Sequence, residues 1–240
     1  MVKSNDLSTW SQLAKFDSLE QLLDAYKNPS QFQIELSELL QRYGSDFITP
    51  KVIEVGSANG VTSALLPDHY SRALLDFSPI ALGQANTLFN HLGKKVELIE
   101  ADILNPNLMD AQYDIVFSAG LLEHFSLKDR TTIVKNMFRL TSPNGYVLIA
   151  VPNHRSIPYR IGYLYQVLRA TWLYPREELI THLKHETEPI HNSLYVDEYE
   201  LSKDTVFRYL PATLNKPFRL LDKWLHFEAY LKVWVYQKGE

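Results

Sequence analysis

The sequence contains no cysteine, which excludes disulfides, thiolate metal sites and a cysteine nucleophile. It has no apolar run of membrane-spanning length, and its first six residues lack the apolar core of a signal peptide, so we expect a cytoplasmic protein. Positive charge is also scarce, since 24 Lys and Arg stand against 28 Asp and Glu, a net charge of -4. Nucleic-acid binding usually needs a basic balance and is therefore disfavoured.

The composition is that of an ordinary globular protein. Of its 240 residues, 45% are hydrophobic and 22% are charged, which fits a single domain with room for an insertion. Aromatic residues are abundant, with 14 Tyr, 11 Phe and 4 Trp. Much of this aromatic content lies in the last third of the chain.

From residue 51 onward, short apolar runs alternate with helical stretches. This alternation predicts an α/β fold with a parallel, doubly wound, Rossmann-like sheet, whose ligands bind beyond the carboxyl ends of the strands. The predicted strands are 51–55, 73–77, 96–100, 114–118 and 146–151, and the predicted helices lie near 60–67, 79–92, 106–111 and 127–141.

The two flanks follow other patterns. Residues 1–49 read as a helical cap, which either packs on the sheet or closes over a ligand. Residues 153–216 are too long for a simple connection and are expected to form a lid or substrate insertion. The segments 218–227 and 229–236 are predicted to be paired terminal strands. The whole chain, 1–240, is then one domain with a core at 50–152.

The stretch from Lys51 to Gly60 predicts a ligand site. Its strand has three β-branched residues among four, and a turn punctuated by Gly56 and Gly60 leads into a helix. Such a turn exposes backbone N–H groups at a helix N-terminus, where a polar or anionic ligand group can bind. Glu54 is out of place in a buried strand unless its carboxylate is needed there.

The turn does not match the common nucleotide motifs. A dinucleotide fold has G-x-G-x-x-G, whereas Ala58 and Val61 occupy the second and third glycine positions, and no Gly-Lys-Ser/Thr follows as in a P-loop. The chain instead has E-x-G-x-A-x-G. Asp76 ends the second strand and can accept both hydroxyls of a ribose. Asp102 follows the third strand, and Ser-Ala-Gly-Leu-Leu-Glu-His follows the fourth.

With these motifs, residues 50–152 resemble the class I S-adenosylmethionine-dependent methyltransferases that act on small molecules. The resemblance implies a seven-stranded sheet, strands 1–5 parallel, with a terminal antiparallel pair. It also implies S-adenosylmethionine as cofactor and S-adenosylhomocysteine as product. The family's cofactor contacts correspond to Glu54, Gly56, Ser57, Ala58, Asn59 and Gly60 for the aminoacyl end, Asp76 for the ribose, Phe77, Ser78, Asp102 and Ile103 around the adenine, and Ser118, Ala119 and Gly120 beside the methionine.

The resemblance also suggests how the methyl group is transferred. The protein must align nucleophile and methyl carbon, and a hydroxyl or ammonium nucleophile needs a base, for which His124 is the candidate. A structural role for His124 is the alternative. Because Gly120 stands where a metal site would want a carboxylate, we expect no catalytic metal. The candidate substrate residues are Asn153, His154, Tyr159 and Tyr163, and the acceptor is expected to be partly apolar or aromatic.

Two other functions remain open at this point. The chain can be a scaffold or an enzyme of recruited chemistry that keeps the cofactor without methylating. It can also methylate RNA or protein, which the acidic balance and the lack of an Asn/Asp-Pro-Pro-Tyr segment after strand four disfavour. We expect a small-molecule partner and either a monomer or a homodimer.

Overall fold

The computed structural model describes residues 18–105, 108, 113–153, 156, 160, 164, 180, 193–202, 213 and 229–240, and every structural statement below concerns these. Most of the helix predicted at 106–111, the strand predicted at 218–227 and the predicted substrate residues His154, Tyr159 and Tyr163 lie outside the described residues.

The strands of the described residues form one sheet in the order β3-β2-β1-β4-β5-β7-β6. Strands β1 to β5 are parallel, and β7 runs antiparallel between β5 and β6. The predicted fold class is thereby confirmed. The strands are β1 (Lys51–Val55), β2 (Ser71–Asp76), β3 (Glu97–Glu100), β4 (Tyr113–Ala119), β5 (Thr141–Pro152), β6 (Ser193–Leu201) and β7 (Leu231–Lys238).

The prediction was wrong about which residues supply the sixth strand. We expected residues 218–227 to pair with the last strand. The last strand, β7, instead pairs with β6, which lies within the segment 153–216 that was predicted to be an insertion. The register of β6 shifts between Tyr195 and Asp197, so one extra residue interrupts the two-residue alternation by which a strand is recognised. The apolar residues Leu194 and Val196 are exposed, so the apolar positions of this segment do not mark a buried face.

Helices cover both faces of the sheet. They are α1 (Leu19–Lys27), α2 (Gln31–Gly44), α3 (Val61–Ala64), α4 (Pro79–Leu92) and α5 (Leu127–Leu140), with a 3₁₀ turn at Leu122–His124. Serines begin several of them, since Ser18, Ser78 and Ser126 accept a backbone N–H through their hydroxyls. No helix in the described ranges is long and apolar enough to cross a membrane.

The two faces of the sheet bury separate apolar clusters. On one face, Ile53 and Val116 pack with Met137 of α5. On the other, Val52 and Phe117 pack with Leu40 of α2. Helix α2 therefore packs on the sheet, which was one of the two predicted roles of the N-terminal helices. The other role, closure over a ligand, stays a prediction.

The sheet order decides where a ligand can lie. The chain proceeds outward from β1 to β3 in one direction and from β4 to β5 in the other, so β1 and β4 flank the point where the order reverses. Ligands of such sheets bind at this point, beyond the carboxyl ends of the strands. The carboxyl ends of β3, β2, β1 and β4 lie side by side here, and each is followed by predicted site residues.

Candidate active site

The turn after β1 is bonded to the neighbouring strand. The N–H groups of Gly56 and Ser57 both donate to the Leu75 carbonyl of β2, at 2.8 and 3.2 Å, and the Gly60 N–H donates to the Ser57 carbonyl at 2.9 Å. We expected free N–H groups at a helix N-terminus, but the turn uses most of them internally, and α3 is only four residues long. The turn therefore serves mainly as a rigid support for the groups beside it.

Asp76 is the acidic group to which this turn is fastened. Its Oδ2 accepts the Ala58 N–H at 2.8 Å and its Oδ1 accepts the Ser78 N–H at 2.9 Å. Burial raises the pKa of Asp76, although hydrogen bonds from the backbone N–H groups of Ser78, Ala58 and Phe77 oppose the rise. A carboxylate has about four lone-pair sites, so these three donors leave acceptor capacity for a ligand hydroxyl, such as that of a ribose.

Glu54 lies beneath the turn rather than at its mouth. It is 5% exposed, and its Oε2 accepts the Ser63 hydroxyl of α3 at 2.6 Å. Burial raises the pKa of Glu54 to about 7; the Ser63 hydrogen bonds oppose the rise and the charge of Asp76 adds to it. A cationic group bound nearby, such as an ammonium, would favour the ionised form. The contact of Glu54 with the aminoacyl end of a cofactor stays a prediction.

The loop after β3 provides the next wall. The exposed Asp102 accepts the Leu104 N–H on its Oδ1 at 2.8 Å, while the side chain of Ile103 is buried in the core. The loop is joined to β2 because the Ala101 N–H donates to the Asp76 carbonyl at 3.1 Å. Asp102 therefore stands one strand beyond the predicted ribose site, and its second carboxylate oxygen is available to a donor. The predicted adenine neighbour Phe77 is half-buried and follows Asp76 directly.

The end of β4 closes the other side. Gly120 adopts a left-handed backbone with φ of 74° and donates its N–H to Ala150 of β5 at 3.0 Å. A Cβ added at Gly56 would lie 2.8 Å from Cδ1 of Leu121, so the turn after β1 contacts the loop after β4 directly. The predicted residues Ser118, Ala119 and Gly120 thus lie beside the turn.

Two buried hydroxyls indicate a polar ligand. The Oγ atoms of Ser57 and Ser118 have no hydrogen-bond partner among the described residues, although these residues are only 4% and 0% exposed. Buried polar groups in proteins are nearly always hydrogen-bonded. The residues present therefore fit a cofactor such as S-adenosylmethionine, which has polar groups along its whole length.

His124 ends the 3₁₀ turn that follows β4. It is 7% exposed, and its Nε2 lies 3.9 Å from Oε1 of the buried Glu123. The loop is held in place because Nε of Arg130 donates to the Phe125 carbonyl at 2.9 Å. His124 is thereby fixed in the turn that follows β4, a strand that flanks the reversal point, and its role as base stays a prediction.

The predicted substrate residue Asn153 makes structural hydrogen bonds. Its side-chain amide donates to the Ala229 carbonyl at 2.9 Å, and its backbone N–H donates to the Tyr230 carbonyl at 2.8 Å. These bonds join the end of β5 to the start of β7, and contact with a substrate stays a prediction. Within the described ranges, no group of three His, Asp or Glu residues is arranged to hold a metal ion.

The sequence reasoning missed two cations that support the site. Buried Arg72 of β2 donates from Nε to the Ser63 carbonyl at 3.2 Å and from its terminal nitrogen to the Leu66 carbonyl at 2.7 Å. Nζ of Lys94 donates to the Ala64 carbonyl at 2.7 Å. These cations satisfy the carbonyl end of α3 and so hold Ser63 against Glu54. The signal that could have revealed Arg72 was a charged residue directly before the apolar run Ala73–Leu75 of a strand.

Ala58 is strained. Its φ of 47° lies in the left-handed region, which costs a residue with a Cβ about 1–2 kcal/mol. We predict that Ala58→Gly raises the free energy of unfolding by about 0.5–1 kcal/mol, because the relief of strain exceeds the added entropy of the unfolded chain. Urea unfolding measures this. The control Ala25→Gly, within α1, should lower the free energy of unfolding by about 1 kcal/mol. If both variants lower the free energy of unfolding equally, Ala58 is not strained.

Glu54 makes stability depend on pH. Its pKa rises from 4.5 to about 7 on folding, so the folded protein holds a proton that the unfolded chain releases between these values. The stabilisation is fully present at acidic pH and is lost as the pH rises through about 7, to a total of about 3 kcal/mol. We predict that Glu54→Gln removes this part of the pH dependence.

Urea unfolding at about pH 5 and about pH 8 tests this prediction by comparing the pH dependence of variant and wild type. The control is Glu38→Gln, since Glu38 lies exposed on α2 and should leave the dependence unchanged. If Glu54→Gln keeps the wild-type pH dependence, the burial of the Glu54 charge has no effect on stability.

Comparison with known proteins agrees with the geometry. Residues 52–145 match the family described as "Methyltransferase domain". Among curated proteins, the PKS-NRPS hybrid synthetase cheA of Chaetomium globosum is 28% identical over 158 residues, covering 62% of this chain and 3% of that protein. The chloroplastic tocopherol O-methyltransferase of Arabidopsis thaliana is 29% identical over 111 residues, covering 45% of this chain and 31% of that protein. The chain therefore matches less than a third of either relative's length.

A solved structure has the same fold over nearly the whole chain. The N-methyltransferase NodS from Bradyrhizobium japonicum WM9, in complex with S-adenosyl-L-homocysteine, superposes with a TM-score of 0.59 at 14% identity, covering 98% of this chain and 100% of that one. The matched domain spans β1 to the start of β5 and contains every described wall of the site. Residues 52–145 thus match a methyltransferase domain, and the strand order 3-2-1-4-5-7-6 is that of a Rossmann-like methyltransferase fold.

Proposed function

We propose that this protein transfers a methyl group from S-adenosylmethionine to an oxygen or nitrogen of a small, partly apolar or aromatic molecule. The observation that carries the proposal is the Asp76 carboxylate. Backbone N–H groups of Ala58 and Ser78 hold its two oxygens, and the carboxylate keeps acceptor capacity for a ribose hydroxyl at the reversal point of the sheet.

The other walls extend this site in both directions. Asp102 and the Ile103 backbone stand on the β3 side, where they suit an adenine with its amino donor. The turn from Gly56 to Gly60 and the residues Ser118–Gly120 stand on the β4 side, where the aminoacyl and methionine parts would lie. The unpartnered hydroxyls of Ser57 and Ser118 provide donors and acceptors for these polar ends.

For methyl transfer, the protein has to orient the two reactants and accept a proton from the nucleophile. S-adenosylmethionine, when bound, supplies a sulfonium methyl group, whose carbon an in-line nucleophile can attack while the sulfur leaves as a neutral thioether. The rigid turn and the β4 loop would orient the reactants, and such orientation contributes several kcal/mol to catalysis. His124, held in the loop after β4, would accept the proton of the nucleophile.

Two observations support a small molecule as the methyl acceptor: the net charge of the chain and the names of similar proteins. The net charge of -4 disfavours a nucleic-acid substrate. The names of a tocopherol O-methyltransferase and an N-methyltransferase among the similar proteins favour transfer to oxygen or nitrogen of a small molecule. The aromatic residues of the insertion, Tyr159 and Tyr163 among them, would line the apolar part of the acceptor pocket.

We predict that S-adenosylhomocysteine binds the wild-type protein at micromolar concentration and that Asp76→Ala weakens binding by more than about 100-fold, since the charge-assisted hydrogen bonding to the ribose and the support of the turn are both lost. Isothermal titration calorimetry measures both. The matched control is Asp114→Ala, because Asp114 also accepts a backbone N–H, that of Lys51 at 2.9 Å, but at the opposite end of the sheet. Absence of binding by the wild type would refute the cofactor site.

We predict that His124→Gln lowers kcat by about 100-fold or more, the usual contribution of a general base, while the affinity for S-adenosylhomocysteine stays within about twofold. The assay is mass spectrometry for the gain of one methyl group on small hydroxyl and amine acceptors. His69→Gln, at an exposed histidine, is the control and should retain full activity. Equal kcat in wild type and His124→Gln would assign His124 a structural role.

A further inference from the structure

A buried polar side chain interrupts the apolar face of α5. Asn136 is 5% exposed and lies among Ile133, Met137 and Leu140, which are buried in the core. Burying an amide costs free energy unless its hydrogen bonds are restored. Its partners therefore show what Asn136 does for the fold.

Both partners belong to the loop after β3. Nδ2 of Asn136 donates to the Ile103 carbonyl at 2.6 Å and lies 3.4 Å from the Asn105 carbonyl. Loop and helix are distant along the chain, since Asn136 and Ile103 are 33 positions apart. The amide thus fastens to α5 the loop in which Asp102 lies.

The loop transmits this constraint to Asp102. The Asp102 carboxylate accepts the Leu104 N–H at 2.8 Å, and the Asp102 carbonyl accepts the Asn105 N–H at 2.9 Å, which makes a tight turn of residues 102–105. The Ile103 side chain is buried in the same cluster as Met137 of α5. The backbone at Ile103 is therefore held twice, and the direction of the Asp102 carboxylate depends on both contacts.

We propose that Asn136 is a positioning residue for adenine recognition, because its bond to the Ile103 carbonyl holds the backbone that orients the Asp102 carboxylate. The proposal rests on the proposed function, since it assumes that Asp102 faces the adenine amino group. With Asn136 in place, the Asp102 oxygen not bonded to Leu104 is held where it can accept that donor. Without it, the loop loses its bond to α5 and the acceptor is no longer aligned.

The experiment compares two ligands that differ at the adenine. S-adenosylhomocysteine has the exocyclic amino donor, and S-inosylhomocysteine has a carbonyl oxygen in its place. We expect Asn136→Ala to weaken binding of S-adenosylhomocysteine by about tenfold and of S-inosylhomocysteine by less than about twofold, the difference expected for one misaligned charge-assisted hydrogen bond. Calorimetry with both ligands measures the ratio, which a general loss of stability does not change.

A double-mutant cycle tests the route through Asp102. In an Asp102→Asn background, adding Asn136→Ala should leave the ratio of the two affinities unchanged. Leu39→Ala is the control for stability, because Leu39 is buried in the cluster on the opposite face of the sheet. It should lower the unfolding temperature without changing the ratio.

A second control probes the same helix. Arg139 donates to the Leu108 carbonyl at 3.1 Å, which holds the chain farther from Asp102, so Arg139→Met should change the ratio by less than about twofold. If Asn136→Ala does not fold, Asn136→Ser, whose hydroxyl is too short to replace the amide, gives the same comparison.

The outcomes separate the two proposals. Equal weakening of both ligands by Asn136→Ala, or an unchanged affinity for both, overturns the positioning role while leaving the cofactor site intact. No binding of S-adenosylhomocysteine by the wild type overturns the proposed function and the positioning role with it. A change of the ratio that persists in the Asp102→Asn background shows that Asn136 acts by another route and also overturns the proposal.

Discussion

The bond between the Asp76 carboxylate and the Ala58 N–H is the contact on which the rest of the site depends. At 2.8 Å it joins the turn after β1 to the end of β2, and the companion bond to Ser78 joins both to the start of α4. Because the carboxylate oxygens are held from two sides, their remaining acceptor positions are directed before any ligand arrives. Such preorganisation lowers the entropic cost of binding.

Buried charges around α3 show how this support is maintained. Burying the ionised carboxylate of Glu54 in a core costs free energy. The hydrogen bond from Ser63 offsets this cost only in part, as the raised pKa of Glu54 shows. Arg72 and Lys94 hold the carbonyls of the same short helix. A four-residue helix is not stable by itself, so these side chains stabilise it in the position that the turn requires.

The parallel core could be predicted because its signals are local. Apolar runs such as Val52–Val55 alternate with helical stretches, and the acidic residues that matter follow strand ends, where parallel topology brings them to one edge. The edge strand β6 could not be predicted in the same way. Its apolar residues Leu194 and Val196 are exposed and a register shift interrupts it, so its sequence shows no regular alternation of buried apolar and exposed polar residues.

The residue types at the strand ends are written in the sequence, and they were enough to predict the parallel core and the chemical character of the candidate cofactor site. How these groups are held could be seen only once the elements were packed together. The turn bonds its N–H groups to Leu75 and Asp76, Ala58 takes a left-handed backbone, and Asn136 reaches the Ile103 carbonyl from a distant helix. Hydrogen bonds between separate elements depend on how those elements pack, and no spacing along the chain records that.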